Sequence, residues 1–237
     1  PASPELQEDL LAAVMDEDHA ERIVFSNQQF ICAAHSVLAE NRIYPQIGEK
    51  VQWLRNLFPE AAAEFHIGLV NPATFIPELF DRCKEESDFT GFLAGVAPGA
   101  LRWSDTLAAI RAAVPEARLV AWCNEDTPLI WPEILRDLGG MPESMKIEGE
   151  HDFLGTIMSE EGIRRMESYL ATHPVKTPQQ RQRVVTAFLD KYARPEAVVM
   201  EMDLPGWSEE LVEALTAGYV EDIERIRTME GVTFLSP

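Results

Sequence analysis

The chain has 237 residues, 46% hydrophobic and 25% charged, with a formal net charge of −20 from 20 Lys and Arg against 40 Asp and Glu. This is the composition of an ordinary globular protein, long enough to bury one sizeable core or a core with a smaller helical lobe. So acidic a balance excludes nucleic acid as an expected partner and disfavours an anionic membrane surface, since both bind through cations.

No apolar run approaches the roughly 20 residues that span a bilayer, and the start carries no basic-then-apolar secretory pattern. Cys32, Cys83 and Cys123 are unevenly spaced and form no Cys-x-x-Cys pair, so a reducing cytoplasm is the expected setting. The five histidines fall singly, without His-x-x-x-His or His-Glu-x-x-His, and no dedicated metal site is expected.

In chain order, residues 4–14 predict an amphipathic helix with Pro4 in its first turn and Leu6, Leu10, Leu11 and Val14 on one side. The β-branched and aromatic run Ile23-Val24-Phe25 predicts a first buried strand over about 22–26, ending at Ser26-Asn27. A helix ends at Phe58, and Pro59-Glu60-Ala61 separates it from a second strand over about 64–70, which stops at Asn71-Pro72. The next helix occupies about 73–83, with Pro77 in its first turn or at a kink, and Gly91, Gly95, Pro98 and Gly99 mark a loop or broken helix.

The same arrangement recurs once. A helix through Val114, the breaker Pro115-Glu116-Ala117 and a third strand, Leu119 to Cys123, lead to Asn124-Glu125-Asp126. Beyond it the pattern is helical. Trp131 to Leu138 stops at Gly139-Gly140; Thr177-Pro178-Gln179-Gln180 heads a helix to Tyr192; Trp207-Ser208-Glu209-Glu210 heads another to about Met229, with Trp207 placed to staple onto Val212. Val232 to Leu235 predicts a terminal strand. The expected fold is α/β, a mostly parallel sheet flanked by helices over about 20–126 and a helical part over about 127–237 packed on it, in one domain.

If the three strands run parallel, their polar ends share the edge where open α/β sheets bind ligands. Glu125 and Asp126 read either as carboxylates for a metal or a proton, or as caps of the following helix. Ser26 lacks the Gly-x-Ser-x-Gly elbow of a hydrolase nucleophile, and Asn71-Pro72 is a turn before it is a ligand contact. His151-Asp152 offers an imidazole beside a carboxylate, and His66 a core or edge residue of a strand. No Gly-x-x-x-x-Gly-Lys or Gly-x-Gly-x-x-Gly occurs, so a phosphate-binding loop of that kind is expected upstream of Pro1.

These strand ends resemble those of the sulfotransferase family. Val70-Asn71-Pro72 is similar to its Arg-Asp/Asn-Pro step, Cys123-Asn124-Glu125-Asp126 to its Tyr-Glu-Asp segment before a helix carrying Ile134-Leu135 and Leu138-Gly139, and Ser26-Asn27-Gln28 to a Ser-x-Glu step. The helix with Tyr219-x-x-Asp222 is similar in character. The resemblance implies a P-loop-type α/β scaffold. It also implies sulfuryl transfer from 3′-phosphoadenosine-5′-phosphosulfate to the hydroxyl of a small molecule or carbohydrate. Ser26 and Asn71 would then bind the donor, and Gln28, Glu125 and Asp126 are the candidates for the chemistry. Three positions depart from the pattern: Val70 replaces the arginine that grips the donor's 3′-phosphate, Glu78 falls near the assisting serine, and Gln28 replaces a glutamate that takes the acceptor's proton. A non-catalytic binding or scaffold protein on the same fold is the alternative these departures raise.

Overall fold

Helix α1 (Pro4–Val14) starts where the sequence places it, with Ser3 Oγ accepting from the Leu6 amide at 3.3 Å. The computed structural model to which it belongs describes residues 2–16, 19–142, 145–198 and 204–237. After α1 come a short hairpin of β1 (Leu38–Ala39) and β2 (Arg42–Ile43), then α2 (Ile47–Arg55) and β3 (Glu64–Leu69). Helices α3 (Pro72–Asp81), α4 (Phe89–Phe92) and α5 (Trp103–Ala113) lead to β4 (Arg118–Cys123). Then follow α6 (Thr127–Gly139), α7 (Asp152–Ile157), α8 (Glu160–Thr172), α9 (Pro178–Tyr192), α10 (Pro195–Val198), α11 (Glu209–Arg227) and β5 (Val232–Leu235). Among the described residues no helix is long and apolar enough to cross a membrane.

The chain divides into two compact units, Pro1–Ala121 with Asp203–Phe234, and Trp122–Met202 with Leu235–Pro237. Unit 1 is built on a parallel sheet of order β3-β4-β5, flanked by helices. Its central strand is the reason for the unbroken apolar run in β4: Leu119, Val120 and Ala121 are all buried. On the faces of unit 1, α2 packs on α5, and α11 packs on α3 and α5.

The expected first strand does not form. Residues 22–27 carry no strand ladder, and Ile23, Val24 and Phe25 are exposed, Val24 by 52%. An apolar run becomes a strand only where a neighbouring strand takes up its backbone groups. Here Phe25 instead stacks on Phe58, ring centroids 6.1 Å apart, and Arg22 pairs with Glu64 at 2.9 Å. The third strand of the sheet is β5, so two of the three predicted strands, together with the terminal one, make it.

The β1–β2 hairpin turns through Glu40 and Asn41, both left-handed at φ 54° and 57°. Two consecutive positive φ values are the signature of a two-residue type I′ turn. Pro77 sits inside α3 and not in its first turn. Gly140, at φ 61°, ends α6 as the sequence predicts.

Edge strand β3 is half-buried from Glu64 to Gly68. Glu64 at its start accepts hydrogen bonds from Arg22 at 2.9 Å and Arg118 at 3.1 Å, which hold its carboxyl below the usual carboxylate range. A depressed folded-state pKa lends stability that is complete above the ordinary carboxylate value and fades as pH falls through the folded one. Unfolding by urea at a series of pH values should therefore show an acid limb below about pH 4 that is shallower in Glu64→Gln.

Unit 2 is helical. Its core gathers Leu154, Met158, Met166 and Val185, with Ile163, Leu170, Phe188 and Leu189 packed around them. Thr177 Oγ1 caps α9 at the Gln180 amide, 3.2 Å, and Gln180 Oε1 reaches back to the Lys176 amide, 2.8 Å. Arg181 ties α9 to α6 through both oxygens of Glu133, at 2.8 and 2.6 Å, and the Leu129 carbonyl. Helix α8 approaches α9 over Gly162, where a Cβ would lie 2.5 Å from Tyr192 Cβ and 2.7 Å from Met158 Cγ. Gly162→Ala is expected to lower thermal stability, since overpacking at about 1–3 kcal/mol exceeds the helix propensity it restores.

Candidate functional site

The carboxyl end of β3 is densely hydrogen-bonded. Asn71 follows the strand and caps α3, its Oδ1 accepting from the Ala73 amide at 3.0 Å while its Nδ2 donates to Thr216 Oγ1 at 2.9 Å. The Val70 carbonyl accepts the indole N–H of Trp103 at 2.8 Å, and the Leu69 carbonyl accepts the Tyr219 hydroxyl at 2.9 Å. Trp103 is 2% exposed and lies against Phe75 and Tyr44, with centroids 5.4 and 6.2 Å away.

Thr216, Tyr219, Asp222 and Arg225 recur every three residues along α11 and form one polar strip. Asp222, 2% exposed, accepts from the Ser104 amide at 3.0 Å and from Ser104 Oγ at 2.5 Å. Helix α5 needs this carboxylate. Its own N-cap residue, Arg102, makes no side-chain cap bond and turns its guanidinium to the Gly99 and Leu101 carbonyls. Asp222 thus caps α5 from another helix, satisfying an orphan N–H at the positive end of the helix dipole. Arg225 stands 3.6 Å from Asp222, with most of its side chain in solvent.

Of the residues the sequence singles out, Val70, Asn71, Tyr219 and Asp222 belong to this cluster, whereas Ser26, Gln28, Glu125 and Asp126 do not. Ser26 ends no strand; it lies in the exposed stretch before Asn27, whose side chain accepts from the Gln29 amide at 2.7 Å in an Asx turn. Gln28 Oε1 accepts from Arg82 at 2.7 Å. Arg82 follows the last residue of α3 and Asn71 precedes its first, so Gln28 and Asn71 bond to opposite ends of a helix about 15 Å long. The shared cleft expected of Ser26, Gln28 and Asn71 is therefore not formed, because without a first strand nothing carries Ser26 and Gln28 to the sheet edge.

In unit 2, Asn124–Asp126 make one tight helical turn between β4 and α6. Glu125 is exposed and Asp126 half-buried. Asp126 holds the N-cap position of α6 without a side-chain cap bond, while Trp122 Nε1 donates to Thr127 Oγ1 at 3.1 Å. The carboxylates that His151 faces are Glu150 and Glu167, at 3.8 and 3.7 Å, and not the Asp152 suggested by adjacency.

Ser104, Trp103 and Thr216 escape a motif search because their partners are remote in sequence. The threonine-tyrosine-aspartate-arginine spacing on α11 is the signal that finds the strip. Chemically the β3 edge offers polar groups already bonded to one another. A ligand that took the Asn71 amide would uncap α3. No protein-family model, curated protein or solved structure matches this chain.

Proposed function

We propose that this chain is a sulfotransferase-like protein, transferring a sulfuryl group from 3′-phosphoadenosine-5′-phosphosulfate to a hydroxyl of a small molecule or carbohydrate. The observation that carries this reading is the placement of two motif-like segments. Asn71-Pro72 turns β3 into α3, and Asn124-Glu125-Asp126 turns β4 into α6. Strand-to-helix turns at the carboxyl ends of parallel strands are where α/β enzymes hold their ligands. Gln28 cannot accept a proton near neutral pH, so on this reading the proton an acceptor hydroxyl loses goes to a carboxylate, Glu125 or Asp126.

A specific set of bonds favours a second reading, a non-catalytic binding or scaffold protein on the same type of fold. Val70 stands where the family pattern has its arginine, and one lost charge-assisted hydrogen bond costs about 1.5–3 kcal/mol of donor affinity. Both ends of the Asn71 amide are engaged within the protein. Gln28 is bonded to Arg82.

Calorimetric titration of 3′-phosphoadenosine-5′-phosphate into the full chain tests the proposal. Saturable heat, together with donor-dependent sulfation of phenolic and sugar hydroxyls, supports the transferase. Saturable heat without turnover selects the second reading, and no heat at millimolar ligand removes donor chemistry altogether.

A further inference from the structure

Charge in this chain is unevenly spread. Between residues 160 and 192 there are six Lys and Arg against four Asp and Glu, a locally basic stretch in a chain of net charge −20. That stretch is the α8–α9 hairpin of unit 2. Between the two helices runs a shallow groove of about 410 Å³, lined among others by Arg165, Tyr169, Phe188, Lys191 and Tyr192.

Its floor is a row of rings. Tyr169 is 42% exposed and stacks on His173 with centroids 4.4 Å apart, Phe188 follows at 6.0 Å from Tyr169, and Tyr192 at 5.9 Å from Phe188. Two cations flank the row, Arg165 at 5.8 Å and Lys191 at 5.3 Å from the Tyr192 centroid. Arg165 also pairs with Glu161 at 2.7 Å, but both side chains are more than half exposed, and such a pair is weak enough to yield to a competing carboxylate.

We propose that the α8–α9 groove binds an acidic segment of a partner protein that carries an aromatic side chain. The cations and the local excess of positive charge select carboxylates. The exposed ring of Tyr169, beside the half-buried Phe188 and Tyr192, accepts a flat apolar group by stacking, the combination that recurs at recognition hot spots. The groove is open along its length and spans about 10 Å between the levels of Arg165 and Thr172 on α8. That shape seats an extended segment and does not enclose a small molecule, which a ligand pocket would largely bury. The net negative charge of the whole chain does not prevent this, because screening confines each charge's influence to roughly 10 Å at 0.1 M salt.

The test uses fluorescein-labelled poly(Glu,Tyr) against the full chain, read by fluorescence anisotropy. The expected result is saturable binding that weakens about tenfold when both cations are reversed in Arg165→Glu/Lys191→Glu, and that weakens as salt is raised. Both residues are at the surface, and unchanged helical circular dichroism separates loss of binding from loss of fold. The milder Arg165→Gln/Lys191→Gln should fall between. Polyglutamate without tyrosine should bind more weakly, and poly(Lys,Tyr) not at all. No anisotropy change with poly(Glu,Tyr), binding indifferent to the charge reversal, or equal binding of poly(Lys,Tyr) would each overturn the proposal. So would full competition by a small aryl carboxylate such as benzoate, which would make this a small-molecule site.

Discussion

Replacing Trp103 with alanine is expected to destabilise unit 1 by about 4–8 kcal/mol, close to the whole stability of many domains. Most of this is the loss of a large buried ring system, at about 3–5 kcal/mol for Trp→Ala in a core. The remainder comes from the Val70 carbonyl, which loses its indole partner at 2.8 Å and is left short of a donor at about 1–3 kcal/mol. Trp103→Phe separates the two contributions, since it keeps a ring against Phe75 and Tyr44 and removes the N–H. Its cost should be about 1–2 kcal/mol. Amide hydrogen exchange in β3, β4 and β5 reads the effect where it acts. Protection there that is unchanged in the alanine variant would show that Trp103 does not hold the sheet edge.

Asp222→Ala should cost about 2.5–4 kcal/mol, large for a residue on a helix that is otherwise half exposed. It removes the cap of α5, worth about 1 kcal/mol, and the hydrogen bond that Ser104 Oγ donates to a buried carboxylate, worth about 1.5–3 kcal/mol. The companion variant Arg225→Ala should stay within about 0.5 kcal/mol, because an exposed arginine 3.6 Å from its partner contributes little. Asp222→Asn keeps one acceptor and should lie between the two. Urea midpoints at neutral pH decide the order. A loss as large in Arg225→Ala as in Asp222→Ala would mean that the ion pair, and not the cap, is what stabilises this corner.

Local chemistry explains which elements are legible in the sequence. The N-caps Thr177 and Ser208 act within a turn of their helix, so three or four residues suffice to find them. Strands β3, β4 and β5 follow from short apolar runs bounded by breakers. The run at Ile23 is as apolar as these and fails, because a strand exists only in a pair, and pairing is decided by residues tens of positions away. The β1–β2 turn is invisible for the opposite reason, since Glu40 and Asn41 adopt left-handed backbone without any glycine to announce it. Trp207, expected to staple onto its own helix, stands edge-on to Phe89 at 5.6 Å. At the candidate site, Asn71 is readable as part of a turn, and the structure makes it the cap of α3. Thr216, its distant neighbour in chain order, becomes meaningful only once α11 lies across α3 and α5.

Unit 1 is written in two pieces with unit 2 between them, and this governs the order of assembly. The Ser104 amide waits for a carboxylate 118 positions later, and the Leu69 carbonyl for a hydroxyl 150 positions later. On the ribosome the helical unit therefore emerges, but for Leu235–Pro237, while the sheet still lacks both its last strand and the helix that closes it. Closing such distant loops is slow, and the half-made sheet is exposed meanwhile. Chains ending before Ser208 should be cut by protease first within residues 19–121 and remain protected across α8 and α9. Equal protection of both regions would show that the sheet does not wait for its final segment.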